Sequence, residues 1–446
     1  MNPVQNLLTV DDLSVAQILE LFAHAKAFEE RPRGFADLAR GNIAASLFYE
    51  PSTRTRLSFE SAMQRLGGGV ITAADMRASS ATKGESLADT VRVVSAYADL
   101  IVLRHPSEGA AELASHYAGV PVVNAGDGSH EHPTQTLCDL YTLWLEKGGE
   151  ARGGLAGLDV VVAGDLRYSR TIHSFVYALA RFGANLVCVP QPGLELPQYV
   201  VQRLRQEYGA APVRADASAL GTLAGESDVV YLTPQKPHQL SLFTDASGLK
   251  VGDVDAVYMT RSQTERHEHA DERPYMQLGA DQMSAGSLRR AVVMHPLPRR
   301  DEINEDLDAD PRSRYFEQAA RGVPIRMAIL AYLLGRISLA APADGRPPAE
   351  TLKLPGDRNP CVNPTCVSHT ERRHRELFCL LLSRDPLRAI CGYCHQELPF
   401  EWVGSSATRA FHPRDAAAVR RLRPEQLVFL RTEDEARELG FEPAGT

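Results

Sequence analysis

Eight short β-rich runs, alternating with longer amphipathic stretches, constrain this chain more tightly than any other feature. They occupy residues 43–48, 100–103, 120–124, 159–163, 185–189, 228–232, 255–259 and 291–294. Each is too short for a stable helix, and the segments between them space apolar residues at helical intervals. Parallel strands need a long crossover and a helix supplies one, so the alternation predicts an α/β protein with parallel sheets. The first helix is expected behind a cap at Asp11 or Asp12, with Val15, Ile18, Phe22 and Ala25 along one face. A near-repeat, residues 228–234 against 255–261, reads as two similar buried strands, and no solenoid period accompanies it.

A chain of 446 residues exceeds what one hydrophobic core usually organises, so several domains are expected. The Gly-rich break at Gly148-Gly149 and Gly153-Gly154 splits the runs into two groups and reads as a hinge, with substrates in the cleft between them. The expected units are 1–147 and 153–322, with a helix at 323–338 packing back on the first. Five prolines and little periodicity across 340–360 mark 339–358 as a linker. A small domain at 359–403 and an appendage at 404–446 follow.

A formal net charge of −8 argues against a general nucleic-acid or membrane-surface binder. Apolar runs such as 160–163 fall far short of the roughly 20 residues of a membrane span. The N-terminus lacks the basic stretch and apolar core of a secretory signal, so a cytoplasmic location is expected. Of seven cysteines, Cys138 and Cys188 are isolated, whereas Cys361, Cys366, Cys379, Cys391 and Cys394 crowd together, which in a reducing compartment points to metal before disulfide.

The chemistry begins at Pro51-Ser52-Thr53-Arg54-Thr55-Arg56, where a strand ends in hydroxyls, two arginines and a helix start. Free backbone N–H groups, hydroxyl donors and a guanidinium fork suit an anion such as phosphate. Ser52 alone reads equally well as a helix N-cap. The longer string, residues 48–60, resembles the carbamoyl-phosphate motif of the aspartate and ornithine carbamoyltransferases. That resemblance extends over most of residues 1–338 through Lys83-Gly84-Glu85-Ser86, Leu103-Arg104-His105-Pro106, His132-Pro133-Thr134-Gln135-Thr136, Gly164-Asp165-Leu166-Arg167-Tyr168-Ser169-Arg170-Thr171 and His295-Pro296-Leu297-Pro298-Arg299.

The resemblance implies two α/β domains of carbamoyltransferase type, acting on carbamoyl phosphate and an amine. It gives Thr55, Arg104 and His132 the stabilisation of charge developing on the carbamoyl oxygen, a preorganised role that should dominate catalysis. It gives Ser52, Thr53, Arg54 and Arg104 the phosphate, and Gln135 with the Leu297-Pro298 backbone the carbamoyl amide. Lys83 and Ser79, on a small polar stretch that otherwise reads as a solvated loop, would reach a neighbouring subunit's site, which implies a trimer or a multiple of trimers. His132 before Pro133 also reads as a packed or capping residue. His130 and His132 flank Glu131 and hint at metal, but no third ligand is evident near them.

Arg170, Arg261 and Gln263 match the aspartate-binding positions of the aspartate enzymes. No Ser-Met-Gly loop or His-Cys-Leu-Pro string of the ornithine type is present, so L-aspartate is the expected amine. Residues 234–254 look inserted relative to the family and create the near-repeat. Glu50, Arg170 and Arg266 match residues that join the domains on closure, although exposed they would read as solvated charges. Arg326 matches a residue that supports the site from the returning helix.

Cys361-x4-Cys366 and Cys391-x2-Cys394 form the paired thiolates of a structural tetrahedral Zn2+ site, with no open position for water. Cys379, among apolar neighbours, reads as a packing residue. These strings resemble the zinc domain of the aspartate carbamoyltransferase regulatory chain, here fused to a catalytic chain, with a zinc-ribbon-like β fold. The short segment before Cys361 leaves no space for that chain's nucleotide-binding domain, so no nucleotide effector site of that kind is expected. The tail faintly resembles a metal-binding module of DNA-alkylation repair proteins without its cysteines, and reads as a small helical or ββα appendage. Two other functions compete: a carbamoyltransferase for a different amine, which the insertion would permit, and a non-catalytic zinc-ribbon assembly subunit.

Overall fold

The computed structural model describes residues 5–74, 84–149, 154–233, 254–261, 277–284, 288–340, 350–355, 361–371 and 376–444. The first sheet contains β1 (Ile43–Phe48), β2 (Gly69–Ala73), β3 (Leu100–His105) and β4 (Val122–Asp127). Around it run α1 (Val15–Glu30), α2 (Thr53–Arg65), α3 (Leu87–Val94), α4 (Ala110–Tyr117) and α5 (Pro133–Glu146). The strand order is β2-β1-β3-β4 and every pair is parallel. Both faces of β1, β3 and β4 are covered by helices, hence their almost uninterrupted burial. Helix α1 is capped by Ser14, whose hydroxyl accepts from the Gln17 N–H, rather than by Asp11 or Asp12. Asp12 instead accepts from the Leu8 and Thr9 N–H groups ahead of it.

The second sheet holds β5 (Asp159–Gly164), β6 (Asn185–Pro190), β7 (Val213–Arg214), β8 (Val229–Leu232), β9 (Ala256–Met259) and β10 (Val292–Met294). It is flanked by α6 (Arg170–Arg181), α7 (Gln198–Tyr208), α8 (Leu220–Gly225) and α9 (Ala280–Met283). All its pairs are parallel, in the order β10-β9-β8-β5-β6-β7. The near-repeat proves to be two adjacent strands, with Tyr231 and Tyr258 in register and stacked 4.3 Å apart. The apparent insertion falls largely outside the described residues. Helix α10 (Tyr315–Leu333) then returns to pack on α1, α2 and α5.

In each sheet the chain reverses its direction of travel once, between β1 and β3 in the first and between β5 and β8 in the second. Such switch points leave a crevice beyond the carboxyl ends of the strands, where α/β proteins bind ligands. The ends of β1 and β3 pair at Phe48 and Arg104, which puts the phosphate-type loop beside Arg104.

A third sheet is antiparallel: β11 (Glu350–Pro355), β12 (Glu376–Arg384) and β13 (Leu387–Cys391), with α11 (Val367–Thr370) beside it. Its first strand begins ahead of residue 359, inside the segment expected as linker. The tail is a four-stranded sheet of β14 (Trp402–Ser405), β15 (Ala410–Pro413), β16 (Leu427–Leu430) and β17 (Glu442–Pro443), with α12 (Glu433–Glu438). Phe411, Leu430, Ala436 and Phe441 form its own small core, so it is more β-rich than the expected helical or ββα appendage. Among the described residues no helix is long and apolar enough to cross a membrane.

Candidate active site

Three helix N-termini bear the expected chemistry. Ser52 precedes α2 but its side chain makes no capping bond, and the same holds for His132 before α5 and Ser169 before α6. These residues therefore do not serve the local role that offers the simplest reading of their sequence. Pro133 stands at the first helical position, where a missing N–H costs nothing.

Arg104 leaves the end of β3 buried, its Nη1 donating to the Ala125 carbonyl at 3.1 Å and its Nη2 standing 3.3 Å from Glu50 Oε2. Gly126, at φ +114°, permits this: a Cβ there would meet Arg104 Nη1 at 2.8 Å and the His132 ring at 3.2 Å. Burial, and next the positive charge of Arg261, lowers the pKa of Arg54. Two guanidinium groups within each other's field, one from each sheet, make a place for anions.

Gln135 donates its Nε2 to Asp139 Oδ1 at 2.8 Å, which turns its carbonyl oxygen away from that bond. Asp139 also accepts from Gln318 at 2.7 Å and from the Tyr258 hydroxyl at 2.9 Å. Burial nevertheless outweighs these three bonds and pushes its carboxyl up to about 7. At the opposite wall the His295 ring is held at both nitrogens: Nδ1 accepts from the Leu297 N–H and Nε2 donates to Glu302, each at 2.8 Å. Leu297 adopts φ +56°, a sparsely populated conformation of the kind that clusters at functional sites.

Of these groups, Arg54, Arg104, Gln135, Arg261, His295, Leu297 and Gln318 line one cleft of about 660 Å³ between the two sheets. Ser52, Thr53, Arg54, Thr55, Arg104, His132 and Gln135 enter it from the first sheet. Arg261, Leu297 and Pro298 face them from the second. Family models describing the aspartate/ornithine carbamoyltransferase carbamoyl-phosphate-binding domain and Asp/Orn-binding domain match residues 5–144 and 232–333. The aspartate carbamoyltransferase catalytic subunit of Thermoplasma acidophilum is 42% identical over 340 residues, covering 74% of this chain and 98% of that one. That of Thermococcus onnurineus is 43% identical over 338 residues, covering 74% and 97%.

The chain belongs to the aspartate carbamoyltransferase family. Among solved structures, the catalytic subunit of the M. jannaschii aspartate transcarbamoylase matches with a TM-score of 0.60 at 41% identity, over 74% of this chain and 98% of that one. The Trypanosoma cruzi aspartate transcarbamoylase, solved with N-(phosphonacetyl)-L-aspartic acid, matches with 0.58 at 34%, over 74% and 94%.

Of the residues expected at an aspartate carbamoyltransferase site, Ser79, Lys83 and Gln263 lie outside the described residues, as does Arg266. Arg170 begins α6, with its side chain outside the description. Thr171 and Thr260 also line the cleft and were missed by sequence reasoning. A signal existed for Thr260, since Thr233 and Thr260 close the two copies of the repeated strand. The Asp139 carboxylate was missed too, although it sits one helical turn beyond Gln135 on the same face. Arg326 is buried at the rim over the Phe59 ring, 5.0 Å away, and donates to the Gly322 carbonyl at 3.0 Å.

The family's catalytic relatives are covered almost completely, yet about a quarter of this chain lies beyond them, and there the thiols converge. Cys361, Cys366, Cys391 and Cys394 are all buried, and their sulfurs lie within 4.8 Å of one another. Cys361 and Cys394 are separated by 3.6 Å, Cys366 and Cys391 by 3.8 Å. A tetrahedron with metal–sulfur bonds of about 2.3 Å has edges of roughly 3.8 Å, so the donor set fits a four-thiolate metal ion. Ser368 donates to Cys366 Sγ at 3.1 Å, and His369 bonds the Cys361 carbonyl. Cys379 stays outside this set, paired across the sheet with Cys391 and fully buried.

The module is seated on the turn that follows Arg104. Glu108 accepts from Asn363 Nδ2 at 2.6 Å and from Thr365 Oγ1 at 3.1 Å, and its backbone bonds Thr365 and Val367. Gly109, at φ +79°, has no room for a Cβ, which would lie 2.5 Å from the Tyr393 backbone. From β13, Arg388 reaches α7, donating to Gln202 at 2.9 Å and to Gln206. Thus the module touches both α/β sheets' elements.

Proposed function

We infer that this chain transfers the carbamoyl group of carbamoyl phosphate to the amine of L-aspartate, forming N-carbamoyl-L-aspartate and phosphate, an early step of pyrimidine synthesis. The observation that carries the reading is the convergence of Arg54, Arg104 and His132 from the first sheet with Arg261 from the second in one cleft. An anion-rich bisubstrate reaction needs cationic donors on both walls, and bidentate guanidinium groups suit phosphate and carboxylate alike.

In this reading Ser52, Thr53, Arg54 and Arg104 hold the phosphate at the start of α2. Thr55, Arg104 and His132 face the carbamoyl oxygen, on which negative charge grows as the amine attacks the carbon. The C–O bond to phosphate then breaks, phosphate leaves with the electron pair, and the proton given up by the amine passes to the departing phosphate. Gln135, its Nε2 held by Asp139, presents its carbonyl oxygen to the carbamoyl NH2, and the Leu297-Pro298 backbone does the same from the opposite wall. Arg261, with Arg170 and Gln263, binds the aspartate carboxylates. Ser79 and Lys83 complete the site from a neighbouring copy, so the active unit is a trimer or a multiple of trimers.

The four cysteines hold a structural Zn2+ in a module of the regulatory-chain type, fused directly to the catalytic chain. What supports this is the tetrahedral spacing of the thiols and the seating of the module on Glu108 and Gly109. When bound, the ion supplies cross-linking of two chain segments and no chemistry on the substrate.

Product formation from carbamoyl phosphate should be measured with L-aspartate against ornithine and related amines. Turnover with aspartate alone is expected. Turnover only with another amine, or none at all, overturns the reading.

A further inference from the structure

His130 and Glu131 stand on the turn between β4 and α5, immediately before His132. His395 follows Cys394 at the end of the thiolate turn, in a left-handed conformation with φ +57°. The fold brings them together: one donor atom from each of His130, Glu131 and His395 lies within 4.8 Å of the other two. The two imidazole rings meet edge to face with centroids 5.0 Å apart. A cavity of about 30 Å³, the room of a single ion or water, is lined by these residues together with Arg203 and Arg388.

The donors are prepared for a ligand. His130 is nine-tenths buried and its Nδ1 lies 3.0 Å from Asp127 Oδ2, which fixes the ring and leaves Nε2 free. Both His130 Nε2 and His395 Nδ1 are buried without a hydrogen-bond partner among the described residues. Two orphaned buried imidazole nitrogens beside one carboxylate call for a shared partner. Two imidazoles and a carboxylate are a donor set for a first-row divalent metal, and a carboxylate behind the ligating histidine is the usual outer-shell arrangement.

Three factors oppose occupation. Arg203 stands 3.3 Å from Glu131 Oε1, although Asp11, Glu207 and Asp127 surround it and His130 with negative charge. A proton on His130 competes: burial disfavours its charge, but Asp127 outweighs burial and holds its pKa up at about 9. Donors spread over 4.8 Å are also wider than the roughly 3.3 Å edge of a tetrahedral site with bonds of about 2.0 Å, so binding must draw the rings inward. Asp11 and Glu207 offset the Arg203 charge, and a bound metal must displace the His130 proton and draw the rings together.

We propose that His130, Glu131 and His395 form a second divalent-metal site, taking Zn2+ through two imidazoles and one carboxylate and tying the cysteine module to the loop that carries His132. Its occupation links docking of the module to the position of a cleft residue one step further along the chain. The site stands apart from the carbamoyl cleft and does not depend on which amine is used.

The test uses the full chain, stripped with a chelator and retitrated with Co2+. The thiolate site should give intense sulfur-to-cobalt charge-transfer absorption. A further equivalent should give d–d absorption with no added thiolate band. His395→Asn and Glu131→Gln should each abolish that further equivalent while keeping the thiolate band, which also reports that the module is folded. Asp127→Asn, which disturbs the outer shell, should weaken it by roughly 10–100-fold. The proposal is overturned if the wild-type chain takes up no thiolate-free equivalent in excess Co2+, or if His395→Asn retains it. Should a variant lose its fold, the wild-type spectrum alone decides.

Discussion

Glu108→Ala isolates the joint between the catalytic and cysteine parts. In the folded chain the Glu108 carboxylate, almost fully buried, accepts from Asn363 at 2.6 Å and from Thr365 at 3.1 Å. Truncation strands the buried Asn363 amide, whereas the exposed Thr365 hydroxyl keeps its bond to Asn363 Oδ1 at 2.7 Å. One stranded buried group costs about 1–3 kcal/mol, so the joint should weaken by roughly that amount. It should not fail outright, because the backbone bonds from Glu108 N–H to Thr365 and from Val367 N–H to Glu108 remain, at 3.0 and 2.8 Å. Glu108→Gln keeps one acceptor oxygen and should cost about 1 kcal/mol. The chain's two tryptophans make the assay selective, since Trp144 packs on Phe22 in the catalytic core and Trp402 on Phe411 in the tail. Urea unfolding in Trp144→Phe and Trp402→Phe backgrounds then reads each part alone. In Glu108→Ala the Trp402 transition should move to lower urea while the Trp144 transition holds. In a cycle with Asn363→Ala the two residues should couple by about 0.5–3 kcal/mol. An unchanged Trp402 transition, or equal shifts of both, refutes the reasoning.

Further outcomes follow from the cleft and its supports. His132→Ala should lower kcat by roughly 10²–10³-fold, the scale of losing one preorganised donor to a developing oxyanion, and near-normal turnover in a steady-state assay would remove His132 from that role. Arg261→Ala should raise KM for aspartate far more than for carbamoyl phosphate, and Arg261→Lys should not restore it, because an ammonium lacks the bidentate fork. Asp139 gives a pH signature with a definite sign. Its carboxyl titrates at about 7 when folded against 3.8 when exposed, so the folded chain alone keeps this proton between those values. The associated stability is complete below about 4 and is lost as pH rises toward 7, by at most roughly 1.4 kcal/mol per pH unit. Asp12 is raised over the same window, again by burial, so Asp139→Asn should reduce the slope of stability against pH there without abolishing it. A slope identical to wild type in a series of urea midpoints would contradict the assignment.

All eight β-rich runs appear as strands, because a buried parallel strand must be a short apolar run and nothing else of that length fits. The strands of the two parallel sheets outside those runs, β2 and β7, are edge strands with little burial: β7 spans two residues, and the β-branched Val70-Ile71-Thr72 of β2 follows three glycines that read as a turn. The cap of α1 went to Ser14 because two acidic residues upstream were equally plausible by type and only the backbone path separates them. The phosphate-type loop and the thiolate spacings were legible for the same reason as the strands: each packs its chemistry into a dozen residues or fewer.

Tertiary structure decided what lies opposite what. The positions of the switch points depend on strand order, which local propensity does not encode, and they set Arg54 and Arg104 across from Arg261 and Leu297. The sequence showed His130 and His132 flanking Glu131 with no third ligand, and only folding brings His395 from the cysteine module to His130 and Glu131, leaving His132 outside the group. Hydrophobic periodicity and turn chemistry act over a few residues and can be read along the chain. Contacts between distant segments depend on how whole layers pack, and packing is settled only when the cores close.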